Sequence, residues 1–172
     1  SNRSGSNHVW RMNADGSNQI QITQKIDGFP LAISADGKMV YFRSNLKDNL
    51  WQVPIDGGEE TLLFDKNKQR FVFSPDAKQV AFFENNNPDL MLRIYSVETK
   101  QLEKEYPLAE KGLQPNAFAW STDGKFLLYT ANLPSQNTFL YLQQIEQNTP
   151  QKITDLGGDD IAEIAISPDN KQ

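Results

Sequence analysis

The 172-residue chain contains no cysteine and a single histidine, His8. The first absence removes disulfides, thiolate metal ligands and cysteine nucleophiles together, and leaves the redox compartment unreadable. The second leaves one candidate base for a Ser-His-Asp arrangement, and no Gly-x-Ser-x-Gly elbow accompanies it. Because His8 precedes Val9-Trp10 in a strand-like run, it reads as structural, and no enzyme activity is expected. Zinc needs several Cys, His or carboxylate ligands at set spacing, a supply that is missing here, so neither a metal nor a cofactor is expected. Long apolar runs are absent too. No stretch approaches the ~20 residues that cross a bilayer, and Ser1-Asn2-Arg3-Ser4-Gly5-Ser6-Asn7 is no signal peptide. Membrane insertion by this segment is therefore not expected. Positive charge is in deficit, with 17 Lys and Arg against 22 Asp and Glu and a net charge of -5. Direct binding to nucleic acid, whose phosphates need clustered cations, is disfavoured.

Aromatic residues are present in quantity, with ten Phe, five Tyr and three Trp set in short apolar runs. They supply the buried surface that disordered segments lack. The phrase Ser-x-Asp-x-Lys organises the chain. It occurs as Ser34-Ala35-Asp36-Gly37-Lys38, Ser74-Pro75-Asp76-Ala77-Lys78, Ser121-Thr122-Asp123-Gly124-Lys125 and Ser167-Pro168-Asp169-Asn170-Lys171, with serine spacings of 40, 47 and 46. Each copy follows an apolar run, and the first three precede another, so each reads as a β-hairpin turn with Gly or Asn at a left-handed position. Ala77 departs from that pattern and should cost ~1 to 2 kcal/mol if held there. A second column, Trp10, Trp51, Tyr95 and Tyr141, keeps phase with the first and marks a third strand. A fourth run follows as Gln21-Ile22-Thr23, Thr61-Leu62-Leu63 and Lys152-Ile153-Thr154, whereas the third repeat offers only the poor candidate Glu105-Tyr106-Pro107.

Four short antiparallel strands per repeat are the dimensions of a β-propeller blade, which covers its faces with neighbouring blades. The expected fold is all-β: about 3.75 blades, as a segment of a larger propeller. A partial blade over 1–24 precedes blades at 29–64, 70–107 and 116–154, and a partial blade over 161–172 ends the inventory. The phrasing Ser-Pro-Asp-x-Lys before a β run, with Val9-Trp10-Arg11-Met12 leading to Asp15-Gly16, resembles the TolB-like propeller repeats known as PD40. The WD40 pattern fits less well, since Trp-Asp and Gly-His dipeptides are missing. The resemblance implies a non-catalytic, periplasmic bacterial module that presents loops to a protein or peptide partner. Two other settings use such propellers: the periplasmic sensory domain of a membrane-anchored winged-helix regulator, and the gating propeller of a prolyl-oligopeptidase-like peptidase.

Alternating strand direction puts the Ser-x-Asp and Asp-Gly turns on one edge of the blades and the longer, irregular connections on the other. Loops held by a rigid scaffold are where binding residues concentrate. The candidates on that second edge are Asp27, Phe29, Lys47, Asp48, Lys68, Arg70, Asn86, Gln114, Asn116, Gln136, Asp159 and Asp160. Asn13-Ala14-Asp15-Gly16 fails as a calcium loop, because placing Gly16 at position six puts Arg11 first and Ile22 twelfth. Gly57-Gly58 and Gly157-Gly158 are too short for a phosphate-binding loop. The aromatic column is expected to fill the space between blades, so that Trp51→Ala costs about 3 to 5 kcal/mol. Residues 161–167 should form an inner strand whose partner the sequence does not supply. An unpaired edge of that kind recruits other strands and carries a hazard of self-association.

Overall fold

The computed structural model describes residues 5–47, 49–65, 70–86, 89–133, 137–158 and 161–170. Among them are fourteen strands and no helix, and thus no helix long and apolar enough to cross a membrane. The chain divides into two compact units. The first, Ser1–Phe71 with Asp76–Lys78 and Val97–Lys100, contains β1 (Trp10–Arg11) and β2 (Ile20–Gln21) as a two-stranded antiparallel sheet. It also holds β3 (Gly28–Ile33), β4 (Met39–Ser44), β5 (Leu50–Pro54) and β6 (Thr61–Phe64), paired in chain order. Val9, Ile22, Val40, Phe42 and Val53 form its core.

The second unit carries two further four-stranded sheets, each antiparallel and in chain order. One is β7 (Val72–Phe73), β8 (Gln79–Asn86), β9 (Asp89–Ser96) and β10 (Leu102–Pro107); the other is β11 (Gln114–Trp120), β12 (Phe126–Asn132), β13 (Thr138–Gln144) and β14 (Gln151–Asp155). Their shared core runs from Ala81, Phe83 and Leu92 to Trp120, Tyr129 and Tyr141. Tyr129 and Tyr141 stack at 5.2 Å with planes 13° apart. The outermost strand β14 is exposed along its whole length, and its Gln151 and Lys152 are the polar residues that blunt an open edge.

The repeated turn has one chemistry. Ser34 Oγ donates to Asp36 Oδ1 at 2.6 Å and accepts the Met39 N–H at 2.9 Å, while Asp36 Oδ1 accepts the Lys38 N–H at 3.1 Å. Ser121 and Asp123 repeat it, with Oγ donating to Oδ1 at 2.7 Å and accepting the Phe126 N–H at 3.0 Å. In the second copy Ser74 Oγ accepts the Gln79 N–H at 3.0 Å and Asp76 Oδ1 accepts the Lys78 N–H at 3.1 Å. The fourth turn residue is left-handed every time, with φ of 73° at Gly37, 52° at Ala77, 73° at Gly124 and 56° at Asn170. Ala77 thus adopts the conformation that a Cβ disfavours by ~1 to 2 kcal/mol.

One expectation changes. Residues 161–170 form no strand, although Ile161 to Ile166 alternates as a strand would. Alternation specifies a face, but a strand also needs a ladder. What anchors this segment is its turn: Thr122 Oγ1 donates to the Pro168 carbonyl at 3.0 Å, and Asn170 Oδ1 accepts the Thr122 N–H at 3.0 Å. Conversely, the poor candidate near Tyr106 is a full six-residue strand, β10. Glu103, Lys104 and Glu105 mask its period, but Tyr106 is buried and its hydroxyl donates to the Ile145 carbonyl at 2.7 Å. Desolvation, helped by Glu146, pushes the Tyr106 phenol up to about 12.

Two glycines test the backbone argument. Gly37→Ala meets nothing within 4 Å, so its cost is conformational, ~1 to 2 kcal/mol by urea unfolding. Gly28→Ala costs more, about 2 to 3 kcal/mol, because its Cβ meets the Arg43 carbonyl oxygen at 2.3 Å and Phe42 at 2.8 Å. The carboxyls of Asp36 and Asp123 are held below the ordinary range, first by their serine hydroxyls and then by the N–H two residues on. A lowered folded value adds stability above the unfolded pKa of about 3.9, and that stability is lost as pH falls through the folded value. Carbon NMR titration should find both carboxyls below ordinary Asp, and Ser34→Ala should return Asp36 toward it while leaving Asp123 unchanged.

Candidate functional site

In the first unit, three connections converge beside β5. They are residues 22–27 between β2 and β3, 45–47 and Asn49 between β4 and β5, and Asp65 at the end of β6. Glu60 shapes the first: its Oε1 accepts the N–H groups of Gln24 at 2.5 Å and Lys25 at 2.9 Å, and its Oε2 accepts that of Ile26 at 2.7 Å. Successive amides aimed at one carboxylate fold the chain into a nest. The second is tied to the first by the Asn45 N–H donating to the Asp27 carbonyl at 2.9 Å, and it closes where the Ser44 N–H donates to the Asn49 carbonyl at 2.9 Å.

The three connections enclose a cavity of about 430 Å³. That lies within the ~300 to 1,000 Å³ of small-ligand and side-chain pockets. Its apolar wall is Ile26, Leu46, Trp51 and Leu62, and its polar wall is Lys25, Asp27, Ser44, Lys47, Asn49 and Asp65. Asp27 lies 3.5 Å from His8 Nε2, whose Nδ1 is 3.2 Å from Thr23 Oγ1. The threonine end of this Thr-His-Asp chain is enclosed, since Thr23 is wholly buried and its Oγ1 accepts the Val9 N–H at 3.0 Å. It braces Asp27 from behind rather than presenting a hydroxyl to a substrate. Asn49 is buried, its Nδ2 donates to Asp65 Oδ1 at 2.8 Å, and its Oδ1 has no hydrogen-bond partner among the described residues. A buried acceptor left in that state costs ~1 to 3 kcal/mol.

Of the residues nominated from the sequence, Asp27 and Lys47 come together in this cavity. Phe29 projects from β3 at 49% exposure and lines no part of it, and Arg70 is an exposed residue outside it. Gln114 and Asn116 lie on β11 in the other unit, where Asn116 Nδ2 donates to Asn132 Oδ1 at 3.4 Å, and Asn86 ends β8. Asp48, Lys68, Gln136, Asp159 and Asp160 lie outside the described residues. Sequence reasoning missed Asn49, Asp65 and Leu46, and it assigned Trp51 to packing between blades. Trp51 is in fact half-buried, packed on one side against the first core and facing the cavity on the other. Opposite Trp51 the ladder carries a bulge. Leu50 pairs with Phe64 but Trp51 with Leu62, so Leu63 is an extra residue on β6, and bulges of this kind re-aim a side chain. The same irregularity faces Tyr95 and Tyr141 in the other sheets, with Glu103 and Ile153 as the extra residues.

Other surfaces are less equipped. A cavity of about 520 Å³ between β1 and β3 is lined by Trp10, Met12, Leu31 and Ile33, and its one charged group, Arg11, is paired with Asp56. In the second unit Arg93 bridges Glu84 at 2.8 Å and Glu105 at 3.1 Å, and the Tyr95 hydroxyl donates to Glu84 at 3.0 Å. Among the described residues no group of three His, Cys, Asp or Glu gathers to hold a metal ion.

No protein-family model matches the chain. No curated protein matches it significantly in sequence. Solved structures do match. The protein assigned as TolB in Agrobacterium tumefaciens superposes with a TM-score of 0.69 at 16% identity, over 98% of this chain and 64% of that one. TolB from Acinetobacter baumannii follows at 0.65 and 18% identity, over 86% of this chain and 38% of that one. A structure from a study of two prolyl endopeptidases aligns at 0.54 and 18% identity, over 85% of this chain and 25% of that one. The chain thus has a TolB-like β-propeller fold, as a partial propeller spanning less than two thirds of the structures it resembles.

The half-buried position of Trp51 revises its expected worth. Trp51→Ala should destabilise by about 1 to 2 kcal/mol, against about 3 to 5 for the fully buried Tyr141→Ala, in urea unfolding of the two variants.

Proposed function

We propose that the chain is a non-catalytic binding module of the periplasm, in which the irregular loop edge of the blades engages a protein or peptide partner. The observation that carries this reading is the Trp51 cavity. It is built from connections on that edge together with Ser44, Trp51 and Leu62 of the adjoining strands, it combines an aromatic wall with a few polar groups, and His8 is spent on bracing Asp27. Pockets that combine an apolar wall with a few placed polar groups bind ligands with defined orientation. The fold supports the choice of class, since TolB structures are the neighbours with the higher TM-scores. The weaker likeness to prolyl endopeptidases puts a gating propeller second. Self-association through an open strand edge is part of the same proposal, and any binding assay should be run over a concentration series.

A photo-reactive side chain tests the proposal. Placed at Leu46, on the cavity rim at 94% exposure, it should capture one defined partner in cells, and placed at Asp36 on the opposite edge of the same sheet it should capture none. Equal capture at both positions, or none at either, would contradict the proposed loop-edge site.

A further inference from the structure

The Trp51 cavity holds a buried acceptor without a donor among the described residues, although Lys25, Lys47 and Ser44 carry donors elsewhere on its wall. Asn49 is only 5% exposed and lines the cavity, yet its Oδ1 has no hydrogen-bond partner among the described residues. The groups beside it are acceptors as well: the Asp27 carboxylate, braced by His8, and the Asp65 carboxylate, which already takes the Asn49 Nδ2 proton at 2.8 Å. The two cations of the wall, Lys25 and Lys47, are exposed. Their flexible stems let the ammonium heads stay in water and swing clear of an occupant. Trp51 adds an indole, the aromatic ring that attracts cations most strongly. The whole chain carries a net charge of -5, which draws cationic partners toward it.

Resting on the reading of a protein or peptide partner, we infer that this cavity seats an arginine side chain of that partner. A guanidinium is donor-only, flat and permanently charged, with five N–H groups spread around one plane. It can lie against Trp51 while different edges serve Asn49 Oδ1 and the two carboxylates. A lysine ammonium offers its donors at one point and has no plane to stack. A sugar could stack on the indole too, but its hydroxyls are acceptors as much as donors and gain nothing from the acidic wall.

The test uses the whole chain and four probes: N-acetyl-arginine amide, its uncharged isostere N-acetyl-citrulline amide, N-acetyl-lysine amide and methyl glucoside. The Trp51 indole N–H and the Asn49 side-chain amide are followed in proton–nitrogen correlation spectra. The arginine amide should shift both signals with millimolar affinity, and the citrulline and lysine amides should bind at least about tenfold and about threefold more weakly. Asp65→Asn should weaken the arginine amide about fivefold, and Lys47→Ala should strengthen it about twofold. Both positions are exposed, so these variants should keep the wild-type spectrum elsewhere. Citrulline amide or glucoside binding as well as the arginine amide would overturn the inference in favour of a neutral ligand. Weaker arginine binding in Lys47→Ala would overturn it as well. If the arginine amide leaves both signals unmoved while cross-linking from Leu46 still captures a partner, the arginine seat is wrong and the binding role stands. If cross-linking also fails, the binding role falls with it.

Discussion

The serine hydroxyl of the Ser-x-Asp turn is the interaction on which the rest of the fold depends. It stands in for a backbone partner, accepting the N–H of the residue five places on while giving its own proton to the aspartate. The aspartate in turn takes the N–H two residues ahead, so the hairpin closes with its polar groups occupied. A hairpin closed in this way has one register. A slip of a single residue would turn every side chain of the following strand to the other face, which strands buried on both faces, such as Val80 to Phe83 in β8, cannot accept. The strained Ala77 fits this account: ~1 to 2 kcal/mol of backbone cost is tolerable where the serine and aspartate bonds hold the turn.

Register in the first hairpin propagates outward to the bulge. In all three four-stranded sheets the outermost strand carries one extra residue opposite the aromatic column, at Leu63, Glu103 and Ile153. The surroundings then diverge. Tyr141 is closed in by Tyr129, Tyr95 stacks on Phe82 at 5.0 Å and finds Glu84, and Trp51 is left half-open beside the Glu60 nest. One repeated local geometry therefore yields two packed tyrosines and one tryptophan available for binding, according to what each neighbouring connection covers.

The parts of the structure that repeat were legible in the sequence, because repetition turns weak local signals into a column. The four Ser-x-Asp turns, the left-handed Gly or Asn at their fourth position and the strand pairs around the first three follow from residue types alone. Two kinds of information were not. Bulges leave no residue signature, since Leu63 and Ile153 look like any strand residue, so the half-exposure of Trp51 could not be inferred from its place in the column. Long-range tertiary partners were hidden as well. Asp27 and Lys47 were identifiable as loop residues, but their meeting with Asn49 and Asp65 depends on Glu60 reaching back 34 to 36 residues to fold the 24–26 segment. The 161–166 run failed for the opposite reason, having the right period and yet forming no strand.

The two edges of the blades differ in what they leave over, and that difference is why the proposed binding is placed on one of them. On the hairpin edge, the serine hydroxyl and the N–H two residues after the aspartate find their acceptor in the turn's own aspartate, and those bonds hold the Asp36 and Asp123 carboxyls below the ordinary range. Such a turn offers a partner little beyond its outer surface. On the loop edge the connections are irregular, and their closure is incomplete: Asn49 Oδ1 stays without a partner among the described residues while its own amide secures Asp65. A repeat that satisfies itself at every hairpin concentrates its unmet hydrogen bonds where the repeat breaks. The same departure from regularity that made the loop edge hard to read from sequence is what equips it for the partner proposed above.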